Sequence, residues 1–178
     1  GACYYPFLTT TQRWQSARYH QHITVSLDNG KTTQLSQLKT DDPALFKVIE
    51  SLLADLYVSL PASVAVAGAI ALVDATEGVW KAPANVQLRG IKHPMISISD
   101  TANEALNTDS STGKSINAIR EFSGRGVRIW GARTLAGNDN EWRYISTRRL
   151  ASMVQESVQK SLNWAVFEPN DANTWARI

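Results

Sequence analysis

A glycine-lysine-serine triplet is the first feature of the sequence that could carry chemistry. Residues 110–115 read SSTGKS, so Gly113, Lys114 and Ser115 match the end of the phosphate-binding motif G-x-x-x-x-G-K-[ST]. The first glycine of that motif would be residue 108, which is Thr108 here. The segment also follows a predicted helix and turn, whereas a phosphate-binding loop leaves a buried strand. A loop that precedes a strand is therefore favoured, and a nucleotide-binding enzyme domain is kept as an alternative.

Two histidines could hold a metal ion, because His20 and His22 would share one face if they lay on a strand. Zinc sites use three or four protein ligands, and His93 stands in a separate segment before Pro94. Cys3 is the only cysteine, which excludes a CxxC metal or redox pair. No serine stands in a GxSxG setting. The sequence therefore predicts no catalytic residue, no metal site and no cofactor.

Arginine is concentrated in one part of the chain. Seven arginines lie from residue 120 to residue 149 against three acidic residues, although the net charge of the whole chain is only +2. Guanidinium groups form bidentate pairs with carboxylates, which suits contacts across a protein interface. A solvated face with weak ion pairs and an arginine-rich nucleic-acid-binding module are the alternatives. The candidate inter-subunit contacts are Arg125, Arg128, Arg148, Arg149, Asp139 and Glu141.

A strand pattern carries part of this arginine-rich segment. Residues 126–135 read GVRIWGARTL, in which Val127 and Ile129 share one face. Bulky groups on both faces predict a central strand covered by helices, with Trp130 in the core. Earlier in the chain, residues 28–30 read DNG and predict a turn.

Helix patterns surround this strand. Asp42 and Pro43 predict an N-cap and a first helical residue, and the alanine-rich residues 63–75 predict a second helix. Residues 142–146 predict a strand, followed by an amphipathic helix over 149–164. The apolar positions of that helix are predicted to face inward: Leu150, Met153, Val154, Val158 and Leu162. The alternation predicts an α/β fold, a mixed β-sheet core with helices packed on its faces.

Length and composition indicate a globular protein and not a membrane-spanning one. A chain of 178 residues with 43% hydrophobic and 19% charged residues is typical of one globular domain. Its longest apolar run, residues 64–73, has about half the length that a membrane-spanning helix needs. Direct insertion into a membrane is therefore not expected.

Several long blocks of the sequence resemble one protein family. These blocks are similar to the contractile tail sheath proteins, which form the outer tube of phage tails and of phage-tail-like extracellular injection particles. The glycine-lysine-serine triplet lies inside one of the blocks, where the resemblance implies a structural role. The blocks are residues 4–6, 60–80, 78–85, 112–135, 138–150 and 166–178.

The resemblance implies a structural subunit and not an enzyme. Such a subunit polymerises helically around an inner tube and contracts to drive the tube through a target membrane. Its partners would be other sheath protomers, the inner tube protein, and the baseplate and terminal cap proteins, with no nucleic acid. It would be assembled in the bacterial cytoplasm and belong to a phage virion or a released extracellular particle.

The resemblance also bears on domain organisation. Residues 1–178 are expected to be a single sheath core domain. Compared with the family, the chain lacks the N-terminal arm or outer domain and the C-terminal helix and arm, so a fragment of a longer protein is expected.

Overall fold

The computed structural model describes residues 1–28 and 30–178, and for Ser16 it describes the backbone alone. Short 3-10 helices occupy Ser16–Arg18 and Asn163–Phe167. The strands of the described chain are β1 (Cys3–Tyr5), β2 (Leu8–Arg13), β3 (Thr24–Ser26), β4 (Thr32–Gln34), β5 (Tyr57–Leu60), β6 (Ile91–Pro94), β7 (Ile116–Phe122) and β8 (Gly126–Ile129). Its α-helices are α1 (Leu35–Asp41), α2 (Pro43–Ala54), α3 (Ala62–Thr76), α4 (Asp100–Asn107), α5 (Ile145–Ser161) and α6 (Ala172–Arg177).

The main sheet is mixed, as the sequence predicts. Strand β1 runs parallel to β7, and β7 is antiparallel to β8, with Ile119 opposite Ile129. The other side of β8 bonds to the segment 85–88: Leu88 N donates to Val127 O at 2.9 Å, and Ile129 N donates to Val86 O at 3.0 Å. Because β8 is hydrogen-bonded on both sides, it lies inside the sheet.

The predicted strand over 126–135 is shorter than expected. Val127 and Ile129 share one buried face, which confirms their predicted alternation, but β8 ends at Ile129. Trp130 lies just beyond the strand and is half-buried against Phe122, with ring centroids 4.5 Å apart. Its predicted place in the core is therefore wrong. Trp130 N still donates to Ala118 O of β7 at 2.8 Å, but the alternation that buries Val127 and Ile129 turns its side chain to the other face.

A second sheet and one helix complete the principal core. Strand β2 pairs antiparallel with both β5 and β6, and α3 packs against the two sheets. Apolar side chains of α3 recur at the helical period on its buried face. The buried cluster joins Leu8, Ala62, Val66, Ala69, Leu88, Ile119, Val127 and Ile129.

Residues 14–56, here called the inserted module, have a core of their own. The chain leaves the second sheet after Arg13 and returns at Tyr57, and these two residues are paired across β2 and β5. Between them lie the β3–β4 hairpin and helices α1 and α2, which bury Leu35, Leu38 and Phe46. The predicted turn over residues 28–30 includes Asn29, which lies outside the described residues.

The two predicted helix starts are confirmed. Asp42 caps α2, because its Oδ1 accepts a hydrogen bond from Leu45 N at 3.0 Å, and Pro43 is the first helical residue. Helix α3 begins directly after Pro61. Local signals are thus sufficient to place both starts.

The predicted strand over 142–146 is wrong. Only an isolated bridge joins Tyr144 to Arg133, and α5 begins at Ile145, four residues before the predicted start. Two backbone hydrogen bonds hold this stretch beside the segment after β8: Thr134 N donates to Arg143 O, and Ile145 N donates to Ala132 O. They fix the chain directly before α5 begins.

The apolar side chains of α5 do not face inward as predicted. Ile145, in the first turn, is buried, but four of the five predicted positions are between 37% and 50% exposed, and the fifth, Leu162, is half-buried just beyond the end of the helix. We call these exposed positions the α5 stripe: Leu150, Met153, Val154 and Val158. Among the described helices, none has the length and apolar character to cross a membrane.

Candidate assembly interface

One pair of candidate arginines lies at the β7–β8 hairpin, where both contact Asn85. Arg125 Nη2 donates to Asn85 Oδ1 at 3.0 Å, and Arg128 Nη1 donates to Asn85 O at 2.7 Å. Arg128 Nε also donates to the carbonyl of Arg125 at 3.1 Å. Gly124 and Gly126, with φ of 70° and 69°, form the turn that brings the arginines together. The hairpin therefore presents two oriented guanidinium groups, of which that of Arg125 is exposed.

One aromatic ring, that of Phe122, supports Arg125 and the neighbouring Arg120. The guanidinium carbon of Arg125 lies 5.8 Å from the ring centre of Phe122, and that of Arg120 lies 5.3 Å from the same ring. Arg120 also forms an ion pair with Asp100 at 2.8 Å. Stacking on a ring face restricts a guanidinium without neutralising it, so the hairpin keeps its positive charge.

A second group of candidates lies in the loop before α5 and in the first turn of that helix. Arg148 stacks over Trp142, with its guanidinium carbon 4.8 Å from the ring centre. Asp139 Oδ1 accepts hydrogen bonds from the backbone N–H groups of Glu141 at 2.8 Å and Trp142 at 3.0 Å. Asp139, Trp142 and Arg148 line one open cavity of about 270 Å³. Asp139 thus shapes its own loop, while the side chain of Glu141 is exposed.

The sixth candidate, Arg149, already has a partner within the chain. Its guanidinium forms a bidentate pair with Asp74 of α3: Nη1 lies 2.7 Å from Oδ1, and Nη2 contacts Oδ2. This hydrogen bonding lowers the pKa of Asp74 and raises the pKa of Arg149. The role of Arg149 between subunits stays a prediction. Within the chain, its guanidinium N–H groups donate to Asp74 of α3.

Sequence reasoning missed Asp74 and Asn85, the partners of these arginines. A signal existed for each. Asp74 is the acidic residue at the end of a long apolar run, where a carboxylate needs a partner. Asn85 has φ of 58°, and asparagine is enriched among residues in this left-handed region.

The glycine-lysine-serine triplet lies in a loop that closes on itself and precedes β7, as predicted. Asp109 N donates to Lys114 O at 2.9 Å, and Gly113 N donates to Asp109 O at 2.8 Å. The Asp109 carboxylate accepts from the backbone N–H groups of Ser111 and Thr112, and from both hydroxyl groups. The amide groups that would bind a phosphate therefore face a carboxylate of the same loop.

These hydrogen bonds predict an unusual titration. They lower the pKa of Asp109 to about 2, with the Thr112 hydroxyl as the largest cause. Because the native pKa lies below the unfolded value of about 3.9, the carboxylate stabilises the loop above about pH 4. That contribution is lost as the pH falls through about 2. Carboxyl-carbon NMR shifts should give this low midpoint, and Thr112→Val should raise it. A native midpoint near the ordinary aspartate value would contradict the geometry.

The predicted histidine pair does not lie on a strand. Residues 19–22 form turns, and the His20 ring packs edge-on against Phe46 with centroids 5.4 Å apart. Across the described residues, no three His, Cys, Asp or Glu side chains lie close enough to share a metal ion.

Comparison with known proteins gives one consistent family. A sequence model of the phage tail sheath protein central domain matches residues 5–135. A putative prophage major tail sheath protein of Pseudomonas aeruginosa (strain UCBPP-PA14) is 29% identical over 110 residues, which cover 60% of this chain and 27% of that protein.

Solved structures give the same result. The contracted sheath complex of an extracellular contractile injection system, PVC, is 42% identical with a TM-score of 0.62, over 68% of this chain and 33% of that chain. The contracted helical sheath of the anti-feeding prophage (AFP) is 41% identical with a TM-score of 0.61, over 68% and 32%. The AFP baseplate contains a chain that is 42% identical with a TM-score of 0.61, over 67% and 32%. The present chain thus spans about a third of the solved chains that it matches.

Proposed function

Because the chain belongs to the phage tail sheath protein family, we propose that it is a structural subunit of a contractile sheath. In this proposal the protein polymerises helically around an inner tube and contracts to drive the tube through a target membrane. The observation that carries the proposal is the central-domain match over residues 5–135. The similarity to sheaths solved in their contracted state supports it.

The proposal assigns the protein a mechanical role without catalysis. Its main rival is a nucleotide-binding enzyme built on Gly113, Lys114 and Ser115. Against that rival stands the loop geometry, in which the Asp109 carboxylate occupies the amide groups of Ser111 and Thr112. The negative charge of this carboxylate would repel a phosphate, which is also an anion.

The proposed partners are other sheath protomers, the inner tube protein, and the baseplate and terminal cap proteins. A similar chain in the AFP baseplate structure supports the baseplate as a partner. We place assembly in the bacterial cytoplasm, within a phage virion or a released extracellular particle. Similarity to both a prophage sheath protein and extracellular injection systems supports this location.

Exposed groups of two kinds suit a polymer. Arg125 and Arg148 are exposed guanidinium groups that the chain itself orients on aromatic rings. The α5 stripe is an apolar surface of the kind that a neighbouring protomer covers in an assembly. Contacts between different patches of successive copies do not close and so form a helical filament.

Contraction then requires two alternative sets of such contacts. Rigid-body rotation of protomers would exchange one set of arginine pairs for another. Shifting a two-state element from 1:99 to 99:1 takes about 5.5 kcal/mol. In a cooperative polymer that bias is shared by many copies, so a few re-paired charges in each protomer are sufficient.

Charge reversal at the exposed arginines tests the proposal. In the intact protein, Arg125→Glu combined with Arg148→Glu should reduce the number of sheathed particles seen by negative-stain electron microscopy at least about tenfold, because reversed charges repel their partners. Arg149 is left unchanged, since its reversal would also disturb α3. Lys39→Glu combined with Lys47→Glu, two exposed reversals with the same total change of charge on the inserted module, is the matched control. Normal tubes that contract normally in the double variant would refute the arginine contacts, and intact protein without any tubes would refute the sheath function.

A further inference from the structure

An open cavity of about 380 Å³ lies where the inserted module meets the second sheet. Its walls come from the end of β2, the 3-10 helix that follows it, and one side chain of β5. The lining residues are Gln12, Arg13, Trp14, Gln15, Arg18, Tyr19 and Val58. Two arginines, two glutamines and two aromatic rings thus face one space, and no carboxylate is among them.

The positive charge of this cavity is only partly balanced. Arg13 Nη1 donates to Asp55 Oδ1 at 2.9 Å and to Ala54 O at 3.1 Å, and this ion pair is largely exposed. The Arg18 guanidinium makes no hydrogen bond or ion pair within the described residues. Beside Arg13, whose guanidinium carbon lies 5.7 Å from the ring centre of Tyr57, Lys92 Nζ lies 3.9 Å from the same ring centre and adds a further positive charge. An anionic ligand would therefore find donors that the chain itself leaves available.

The aromatic pair supplies a flat apolar wall beside those donors. The rings of Trp14 and Tyr19 are stacked, with centroids 5.4 Å apart and planes 10° from parallel. The Tyr19 side chain is exposed, although a stacked ring pair is an expensive group to leave in water. This wall is large enough for one apolar or aromatic side chain.

We propose that this cavity binds an acidic segment of a partner polypeptide. Carboxylates of that segment pair with Arg13 and Arg18, and a neighbouring apolar side chain packs on the Trp14–Tyr19 stack. The amide groups of Gln12 and Gln15 are placed to bond the backbone of the segment. Arginine suits this role because its planar fork binds carboxylates bidentately and stacks on rings.

The charge of the surrounding module favours a peptide over a nucleic acid. Residues 14–56 contain four basic and five acidic residues, so the module as a whole carries no excess of positive charge. A nucleic acid needs a basic surface that extends along its phosphates. Short acidic segments need only the two or three cations that are present here. The inference uses none of the arginines assigned to the sheath contacts, so it stands or fails independently of the proposed function.

Isothermal titration of the intact protein with three short peptides tests the proposal. The probes are acetylated and amidated Glu-Phe-Glu, Gln-Phe-Gln and Lys-Phe-Lys. Saturable binding is expected for the acidic peptide alone, and its affinity should fall at least about tenfold between about 50 mM and about 500 mM salt. Arg18→Glu should abolish binding, and Arg18→Gln should weaken it about tenfold. Lys47→Glu, an exposed charge reversal in the same module, is the matched control and should change the affinity less than about twofold.

Three outcomes would overturn the proposal. The first is no saturable binding of the acidic peptide, and the second is equal binding of the neutral peptide. The third is tighter binding of an acidic sugar: if N-acetylneuraminic acid displaced the acidic peptide at a concentration below that of the peptide, the cavity would be reassigned to carbohydrate. Tyr19→Ala distinguishes the contribution of the aromatic wall from that of the charges. It should lower the affinity for Glu-Phe-Glu more than the affinity for Glu-Ala-Glu.

Discussion

Replacing Asn117 by alanine is expected to lower the free energy of unfolding by about 3 kcal/mol, because three hydrogen bonds are lost in a buried place. Asn117 lies on β7 and is 2% exposed. Its Nδ2 donates to Cys3 O at 3.1 Å and to Arg133 O at 2.8 Å, and its Oδ1 accepts from Arg133 N at 2.8 Å. The side chain therefore joins the edge strand β1 to the segment that follows β8.

Alanine would leave these partly buried backbone groups without their hydrogen-bond partner. Gly131 permits the close approach of its segment to β7, since a Cβ there would lie only 2.7 Å from Asn117 Oδ1 and 3.0 Å from Asn117 Cα. Urea unfolding followed by circular dichroism measures the loss. Asn107→Ala, at an exposed helix end, is the control and should change stability by less than about 0.5 kcal/mol. Equal stability of the two variants would show that the hydrogen bonds of Asn117 carry no net energy.

Reversing the charge of Arg149 is expected to detach α5 from α3 and to cost about 2 kcal/mol. Arg149→Glu places two carboxylates where a bidentate pair stood, and the two wild-type side chains are only 28% and 27% exposed. Beyond this pair and the first-turn residue Ile145, α5 buries little of its surface. Hydrogen exchange of the α5 amides should therefore accelerate in the variant, while exchange in β7 stays slow.

The charge-swapped double variant, Asp74→Arg with Arg149→Glu, is the control for this effect. It should recover about half of the stability that Arg149→Glu loses, because opposite charges again face each other, and it should be more stable than the sum of the two single changes predicts. The pair also predicts an acid dependence, because the native pKa of Asp74 is lowered by Arg149. Its contribution is present above the unfolded pKa of about 3.9 and is lost at lower pH. A stability difference between wild type and Arg149→Met that persists unchanged below that range would contradict the pairing.

The parts of the fold that could be predicted are those fixed by neighbouring residues. Asp42 and Pro43 start α2 through bonds within one turn, and Val127 and Ile129 share a face because strands alternate. The mixed sheet also agrees with the predicted α/β class. The end of β8 was not predictable, since it depends on where Asn117 captures the chain at Arg133, 16 residues away in sequence.

The failures near the C-terminal end have a different cause. Periodicity correctly shows that α5 has an apolar side, but it cannot show what covers that side. The strand predicted over 142–146 failed because Tyr144 makes a single bridge and Ile145 already enters the helix. Likewise, the arginine excess marks a charged region, whereas the choice of Asn85 and Asp74 as partners depends on contacts that are 40 and 75 residues apart in sequence.

The two ends of the inserted module lie close together, and this has a practical consequence for engineering the protein. Arg13 and Tyr57 are cross-strand partners, so the two ends are separated by about one strand spacing, close to 4.8 Å. A turn of a few residues, or a foreign reporter whose termini lie close together, could span the same gap. The inserted module could thus be exchanged at this position while the two sheets and α3 keep their own buried cluster.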